Sequence, residues 1–393
     1  MPTQPEQFLV TWNQVTAFRL ARHHLLERAP TEAFIKVAGD MAGAQAQLLS
    51  AAQISLWSRV RELQIAHVDE ALSERTLVKA SCMRRTLFVV PSEHLATFVR
   101  GSARRAEKEI RWTRGKGVPD RLVDAAIDAV FSCLDQPLTR PEIAELVSRT
   151  LGVQPQAVTG GGWGNNKKVA AVPIGHITFP VVYLLHLASA RGVICYGPNH
   201  DNEPTFVRAD AWIPHWQDIS GEQAEGKLLH IYLKAFGPAT ARDFALWSGI
   251  TLSDAREIWA REQAGIAPVN VEGWAAAVLG EDLEELAQAR FGPPVVRLLP
   301  YFDSFLLAHQ ERQHLVGVEH RQKVYRAQGW ISQVVLVNGR VMAVWESARE
   351  RERLRLKVTT FGAIPQDIAT GIHEEAQALG CFLGAKDVEI QFD

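Results

Sequence analysis

The spacing of apolar residues near the start of the chain predicts helices. Val15 and Phe18 begin an apolar series at helical spacing, which predicts an amphipathic helix over 13–28. Asp40 precedes another such series and predicts the N-cap of a second helix that begins near Met41. Two helices close together in sequence are typical of small DNA-binding modules, so the elements that follow decide the class.

The next segments continue the order helix, helix, strand. They comprise predicted helices over 54–68 and 73–80, a strand over 85–90 that ends at Pro91, and a helix that Ser92 caps and that extends to Arg111. Several helices followed by a strand are the usual order of a winged-helix unit. The sequence therefore predicts such a unit at the start of the chain.

Two later segments, 139–146 and 240–247, share the pattern threonine, three residues, apolar, alanine, any residue, apolar. In both, the threonine hydroxyl can cap a helix whose apolar face follows. The second segment continues through Gly249 into a predicted helix over 254–262, which is the order of a helix-turn-helix. The alternative is that both are ordinary helices of a core, since threonine-capped amphipathic helices are common.

From about Phe291 the pattern changes to short β-rich runs. Strands are predicted over 295–299, 329–337 and 341–345, and Asn338-Gly339 between the last two is a strong hairpin signal. One helix is predicted over 366–379. We expect residues 291–393 to form a separate β-rich domain.

The composition changes this picture little. Apolar residues make up 47% of the 393 residues and charged residues 22%, which is typical of a globular protein. The 42 Lys and Arg nearly balance the 44 Asp and Glu, so a nucleic-acid site requires local segregation of charge.

The sequence also carries expectations about compartment and metals. The four cysteines are widely separated, which fits a reducing compartment and predicts no metal site. The start of the chain lacks the pattern of a signal peptide, and the longest apolar stretch is too short to span a membrane. A cytoplasmic protein without cofactor or metal is expected.

One segment concentrates positive charge. Residues 100–118 contain seven Lys or Arg and two Glu, and most of the cations recur at helical spacing, so that they fall on one side of a helix. Such a stripe is typical of a phosphate-binding surface. The alternative is a solvated helix face.

Two further segments are weaker candidates. Every odd position from 349 to 357 is basic, which lines one face of a strand with cations. The favoured interpretation is a solvent-facing strand with acidic partners on its neighbours. The glycine-rich segment 160–168 ends in Lys167 and Lys168 and lacks the ending of a phosphate-binding P-loop, so it can touch a DNA backbone or form the turn of a wing.

The histidines match no metal-binding spacing, and each is interpreted as structural.

Composition alone gives no reason to single out Gln45-Ala46-Gln47. Residues two apart point to the same side only where the chain is extended or a helix ends. On this evidence alone, two surface glutamines are the default interpretation.

The chain resembles the AlkZ-like winged-helix DNA glycosylases, which include the YcaQ type, over nearly its whole length. The motifs that carry the resemblance are Trp12-Asn13-Gln14-Val15, Arg22-His23-His24-Leu25, Gly43-Ala44-Gln45-Ala46-Gln47, Leu56-Trp57-Ser58-Arg59-Val60, Arg85-Thr86-Leu87-Phe88-Val89-Val90-Pro91, Leu299-Pro300-Tyr301-Phe302-Asp303, His309-Gln310-Glu311-Arg312 and Gly329-Trp330-Ile331. Together and in this order they are specific.

The resemblance implies an α+β fold of three tandem winged-helix units and a C-terminal β-barrel, bent into a C-shape around DNA. We accordingly predict units over 1–98, 99–218 and 219–290 and a barrel over 291–393. A monomer that binds double-stranded DNA carrying alkylated purines is expected.

The resemblance also places the family's catalytic motif on Gln45-Ala46-Gln47, where the AlkZ type has Gln-apolar-Gln and the YcaQ type has Gln-apolar-Asp. It implies a monofunctional glycosylase that excises N7-alkylated purines, with bulky adducts or interstrand crosslinks among the substrates. Cations predicted to contact DNA are Arg59, Arg85, Arg104, Arg105, Arg111, Arg114, Lys116, Lys167 and Lys168. General DNA repair and self-resistance to a DNA-alkylating natural product remain equally open.

Two other function classes remain open. A non-catalytic winged-helix DNA-binding protein or regulator has the same fold, because fold does not fix function. It has no need of the glutamine pair, which makes that pair the discriminating feature. A small-molecule hydrolase ranks last, because the sequence offers no nucleophile elbow and no metal set.

Overall fold

The computed structural model describes residues 8–160 and 167–393. Its α-helices are α1 Trp12–Arg22, α2 Phe34–Asp40, α3 Leu49–Trp57, α4 Ile65–Glu74, α5 Leu95–Arg100, α6 Arg104–Gly115, α7 Asp120–Cys133, α8 Arg140–Leu151, α9 Val181–Ala188, α10 Ala209–Trp212, α11 Gly221–Phe236, α12 Ala241–Ser248, α13 Leu252–Arg261, α14 Leu283–Gln288, α15 Arg321–Val324 and α16 Gln366–Phe382. The fold is mixed α and β.

The strands are short and are distributed along the whole described chain. They are β1 Phe8–Val10, β2 Ala44–Gln45, β3 Leu77–Ser81, β4 Leu87–Pro91, β5 Leu138–Thr139, β6 Gln156–Gly160, β7 Lys167–Ile174, β8 Ile177–Pro180, β9 Ile194–Tyr196, β10 Thr205–Arg208, β11 Ile266–Val271, β12 Trp274–Leu279, β13 Val296–Leu299, β14 Val334–Val337, β15 Arg340–Glu350, β16 Arg353–Thr360 and β17 Asp387–Phe392.

The chain divides into two compact units. The larger unit contains residues 8–71, 88–91 and 229–393, and the smaller unit contains 72–87, 92–160 and 167–228. This division is coarser than the four segments expected from the resemblance, and those four boundaries stay a prediction. No helix within 8–160 or 167–393 has the length and apolar character needed to cross a membrane.

The larger unit is built on a five-stranded sheet of order β13-β14-β15-β16-β17, in which the parallel β16–β17 pair joins antiparallel neighbours. Its core combines the sheet with α1, through Leu20 and Leu25 packed among Leu299, Leu336 and their neighbours. Within the described residues, β13 and β17 at the two edges of this sheet do not pair with each other. The closed C-terminal barrel is therefore not confirmed.

The C-terminal hairpin is confirmed. Asn338 and Gly339 both have positive φ and join β14 to β15, as a tight hairpin turn requires. The predicted strand over 329–337 is too long, because Gly329 has positive φ and ends a short 3-10 helix, and β14 begins only at Val334. The helix predicted over 366–379 is α16.

The alternating charges at 349–357 do not form one strand. Arg351 has positive φ and turns the chain between β15 and β16. The remaining cations are exposed. Arg353 pairs with Asp387 at 2.7 Å and Arg355 with Glu389 at 3.0 Å on the neighbouring strand, whereas Arg349 donates to the backbone carbonyls of Leu383 and Gly384. The interpretation as a solvent-facing strand with acidic partners is confirmed.

The smaller unit contains α6 to α9 around an apolar core, with the sheet β6-β7-β8 on one side. Thr139 caps α8 with a reciprocal capping box, and Thr240 of the larger unit caps α12 in the same way. Gly249, in the left-handed region, ends α12 before α13 begins. Both threonine caps and the helix-turn-helix order of α12 and α13 are therefore confirmed.

Several predictions for the first part of the chain are wrong in their bounds or type. The helix predicted over 13–28 is α1, which already ends at Arg22. The segment 73–80 is mainly strand β3, because Arg75 takes positive φ and ends α4. The helix expected over 54–68 is two helices, α3 and α4. The helix expected from Ser92 to Arg111 is likewise broken, into α5 and α6.

Candidate active site

The Gln-Ala-Gln segment lies between two helices of the larger unit, with Gln45 at the end of the short strand β2 and Gln47 in a bend. Helix α2 ends at Asp40, so the prediction of a helix beginning near Met41 is wrong. The Asp40 carboxylate does not cap a helix but accepts hydrogen bonds from His24 at 2.8 Å and Lys36 at 2.5 Å. Although burial opposes the shift, these two partners hold the pKa of Asp40 below its usual value.

Gly43 turns the chain from α2 into the motif. Its φ of +88° lies in the left-handed region that favours glycine, and a Cβ added there would lie 2.8 Å from Val90 Cγ1 and 3.1 Å from Phe88 Cδ1. The tight fit brings the following residues beside β4, where Ala44 pairs with Val89 and Gln45 with Phe88. A glycine at this position is therefore required by both the turn and the packing.

The two glutamines differ in exposure. Gln45 is only 6% exposed, whereas Gln47 is half-buried. Strand β2 ends at Gln45, and Leu48, just before α3, again has extended backbone angles. Residues two apart lie on the same side only in extended chain, and here the strand ends at Gln45 and the chain bends at Gln47, so the backbone alone does not place both amides at one point.

A single buried turn fastens the chain on both sides of the motif. Ser304 Oγ donates to the carbonyl of Gly43 at 2.7 Å, on the N-terminal side. On the C-terminal side, Asp303 accepts two bonds from Arg59, at 2.7 and 2.9 Å, and one from Ser55 of α3 at 2.6 Å. Charged and bidentate bonds of this kind hold geometry firmly, so the motif has a rigid support.

Arg59 and Asp303 are both completely buried, with side chains 0% exposed. Arg59 further donates to the Ser55 carbonyl at 2.8 Å and to Ser58 Oγ at 2.9 Å. A guanidinium in this position has no access to a DNA phosphate. The prediction that Arg59 contacts DNA is therefore not kept, and Arg59 is a residue that supports the motif.

Two histidines from the motifs that resemble the AlkZ-like family are buried near Arg59 and the Asp303–Ser304 turn. His23 lies between Phe236 and Phe305, and burial together with Arg59 lowers its pKa well below the usual value. His309 contacts the Phe236 carbonyl at 2.9 Å, and burial and Arg19 lower its pKa in the same direction. Both are uncharged at neutral pH, which fits a structural role.

The described residues bring no group of three or more His, Cys, Asp or Glu side chains together in a way that would hold a metal ion. The chemistry available at the motif is that of neutral amides. Each can accept a hydrogen bond through its oxygen and donate through its NH2.

The predicted DNA-binding residues of the smaller unit separate into two groups. Four arginines are engaged with carboxylates: Arg85 and Arg105 with Glu109, Arg104 with Glu225 at 2.5 Å, and Arg114 with Asp124 at 3.0 Å. The others, Arg111, Lys116, Lys167 and Lys168, are exposed, and Arg111 lies 3.9 Å from the exposed Glu107. The sequence could not reveal the pairing of Arg104, because Glu225 lies 121 residues away, whereas Glu109 follows Arg105 by only one helical turn.

Arg85 and Arg105 remain charged at neutral pH, although burial lowers the pKa of each. Burial and the neighbouring Arg105 lower the pKa of Arg85 to about 10, still well above neutrality. Burial is the main reason that the pKa of His186 is lowered to about 4, and the positive charges of Arg85 and Arg105 add to the effect. Most of the predicted glycine-rich loop, 161–166, lies outside the described residues, while Lys167 and Lys168 begin β7.

With this geometry established, comparisons with known proteins assign the family. The family model described as DNA glycosylase AlkZ-like matches residues 38–382, a range that includes the glutamine motif and its support. The chain belongs to the AlkZ-like DNA glycosylase family. The predicted family and enzyme class are thereby confirmed.

Two individual similarities agree. The chain is 32% identical over 345 residues to the interstrand DNA cross-link repair glycosylase of Streptomyces sahachiroi, covering 86% of this chain and 88% of that protein. It is also similar to the solved structure of the Streptomyces sahachiroi DNA glycosylase AlkZ, with a TM-score of 0.81 and 28% identity, covering 98% of this chain and 100% of the other. The similarity in fold therefore extends over 98% of the chain.

The close fit at Gly43 leads to a first prediction. Gly43→Ala should lower the free energy of unfolding by about 1–3 kcal/mol, because it adds a Cβ in the left-handed region and against Val90. Urea unfolding followed by circular dichroism measures the change. Gly292→Ala is the matched control, since nothing lies within 4 Å of its added Cβ. Equal stability of the two variants would contradict the argument.

Proposed function

We propose that this AlkZ-like glycosylase hydrolyses the N-glycosidic bond of N7-alkylated purines in double-stranded DNA, and that Gln45 and Gln47 carry the chemistry. The observation that carries the proposal is the placement of two neutral amides in a short segment between two helices that a buried turn fixes on both sides. Catalytic amides need this kind of rigid support, because a small misplacement costs much of the rate.

The chemistry suits neutral groups. A purine alkylated at N7 already carries positive charge, so it leaves the sugar without a strong general acid. What remains is to position a water molecule and to stabilise an oxocarbenium-like sugar. A glutamine carbonyl can accept from the water while its NH2 is held by a neighbouring acceptor. The water oxygen bonds to C1′, the N-glycosidic electron pair leaves with the base, and the water proton passes to solvent.

The pair is assigned these roles jointly. Gln45, being almost fully buried, is suited to a fixed position, and Gln47 is closer to solvent. Preorganised dipoles that face developing charge are among the largest contributions to catalysis. The product is an intact strand with an abasic site, because no lysine stands beside the motif to form a Schiff base.

The substrate range is proposed from the relative. The Streptomyces sahachiroi protein is, by its name, an interstrand crosslink repair glycosylase. We extend this to bulky N7 adducts and crosslinks in the present chain, acting as a monomer in the cytoplasm near the nucleoid. DNA repair and self-resistance to a DNA-alkylating natural product both fit such a substrate.

The test is incubation with a duplex that carries one N7-methyldeoxyguanosine, followed by gel analysis with and without alkali. The proposal predicts strand cleavage above the spontaneous background only after alkali. Cleavage without alkali would instead indicate lyase chemistry. No alkali-labile product from either this duplex or an N7-crosslinked one would overturn the proposed substrate class.

DNA binding is proposed for the four exposed cations, Arg111, Lys116, Lys167 and Lys168. Replacing Lys116 and Lys168 by alanine should reduce the slope of log Kd against log salt by about 0.9 for each DNA phosphate that the protein no longer neutralises. Fluorescence anisotropy with undamaged duplex at several salt concentrations measures it. Arg353→Ala, which removes a cation paired with Asp387, is the control and should leave the slope unchanged. An unaltered slope in the double variant would contradict the assignment.

A further inference from the structure

Trp112 is an exposed aromatic side chain on the basic helix α6 of the smaller unit. It is 54% exposed, and it is the one tryptophan among the exposed large apolar side chains of residues 8–160 and 167–393. A tryptophan usually buries about 150–250 Å² of surface, so leaving it in solvent forgoes much stabilisation. The mechanism proposed for the glutamine pair makes no use of it.

The indole is held from one side by other aromatic rings. It meets Tyr183 of α9 edge to face, with ring centroids 6.4 Å apart, and Tyr183 in turn stacks on Phe179 at 5.5 Å. Thr113 Oγ1 and the Tyr183 hydroxyl are 2.9 Å apart, which fixes the tyrosine. The ring is therefore oriented in advance, and such preorganisation lowers the entropic cost of binding.

Cations lie near the ring on both sides of Trp112 in the sequence. Lys108 lies one helical turn before Trp112, which places these two side chains on one side of α6, and Lys116 is the residue directly after the end of α6. Both lysines are exposed, and Lys116 Nζ lies 5.0 Å from the indole centroid. Arg111, 68% exposed, adds a third positive charge next to the ring.

An aromatic ring between cations fits one kind of ligand, a chain of alternating planar bases and phosphates. A protein partner would require a broader apolar patch, whereas the neighbours of Trp112 on α6 include the charged and exposed Glu107, Lys108 and Arg111. A fully paired duplex offers no free base face. The ligand must therefore present an unstacked base, with phosphates on both sides.

We propose that Trp112 stacks on an unpaired base of bound DNA while Lys108 and Lys116 bind the flanking phosphates. The inference rests on the proposed function in taking damaged, locally opened DNA as the ligand. Stacking of this type tolerates any base sequence, because every base has a π face. Trp112 then gives the enzyme a preference for opened over intact duplex.

The test compares the affinity for a duplex with one bulged nucleotide with the affinity for the same duplex fully paired, measured by fluorescence anisotropy. Trp112→Ala should weaken binding to the bulged duplex roughly 5- to 150-fold, the effect of removing one base stack, and change binding to the paired duplex less than about threefold. Trp112→Phe should retain most of the preference. The salt dependence should stay unchanged in both variants, because neither alters charge.

Two further variants make the result specific. Lys108→Ala/Lys116→Ala should lower the salt slope for the bulged duplex while retaining the preference for it over the paired one. Leu246→Ala, which removes an exposed apolar side chain from α12, is the matched control and should change nothing. Thermal unfolding of each variant verifies that it is folded.

Equal effects of Trp112→Ala on both duplexes, or no effect on either, would overturn the proposal. Base release from the N7-methylguanine duplex, measured in parallel on the unaltered protein, separates this inference from the proposed function. A Trp112-dependent preference without base release would leave the stacking role standing and remove the proposed activity. Base release without a Trp112-dependent preference would remove the stacking role and leave the proposed activity standing.

Discussion

Replacing both Gln45 and Gln47 by alanine should reduce the single-turnover rate of base release on the order of 10²–10³-fold or more, with DNA affinity nearly unchanged. The reason is that both amides are proposed to act on the water and the sugar in the transition state and not on the bound ground state. A slower chemical step with binding intact is the signature of such a role. Quenched-flow or manual time courses with enzyme in excess, together with anisotropy, measure the two quantities.

The chain offers a matched control for this variant. Gln53 is also a buried glutamine, only 8% exposed, and it lies on the helix that follows the motif. Its amide donates to Asp69 at 2.9 Å and has no part in the proposed chemistry. Gln53→Ala should therefore lower stability slightly and leave the rate of base release within about threefold. Full activity of the double variant, or an equal loss in Gln53→Ala, would contradict the assignment.

Arg59→Ala should lower the free energy of unfolding by about 3–5 kcal/mol, because it leaves the Asp303 carboxylate buried without its partner. Both side chains are completely buried, and the two bonds between them measure 2.7 and 2.9 Å. Asp303→Ala should cost a similar amount, because it orphans the guanidinium instead. Urea unfolding, followed by a probe in the larger unit, gives the change.

An exposed ion pair provides the comparison. Lys386 and Glu352 lie 2.7 Å apart with most of each side chain in solvent, so Lys386→Ala should cost at most about 1 kcal/mol. The Arg59 variant should also release base more slowly, since the Asp303–Ser304 turn that holds Gly43 loses its two bonds from Arg59. A drop in stability no larger than that of Lys386→Ala would mean that Asp303 and Arg59 do not support the motif.

The parts of the fold that depend on local chemistry were predictable from the sequence. Thr139 and Thr240 cap their helices, and Asn338-Gly339 forms its hairpin, because each signal requires only neighbouring residues. The failures arise where distant contacts decide. Asp40 has a side chain that is typical of a helix N-cap. In the structure it lies instead at the C-terminal end of α2, where its carboxylate bonds to His24, 16 residues earlier.

The candidate site shows the same division. Charge alone nominated Arg59 and Arg104 for DNA contact, whereas Asp303 and Glu225, far away in the sequence, engage them in the folded protein. Nothing in composition singled out Gln45, because its role depends on the extended chain that Gly43 and β4 impose. Only the resemblance located the pair, and the structure supplies the physical reason for its rigidity.

The most direct test of the central claim is the amount of free N7-methylguanine that the protein releases from a singly modified duplex under single-turnover conditions, measured by liquid chromatography. We expect release well above the buffer background for the unaltered protein and background release for Gln45→Ala/Gln47→Ala at saturating DNA binding. Equal release by the two proteins would contradict the claim that these glutamines carry the chemistry.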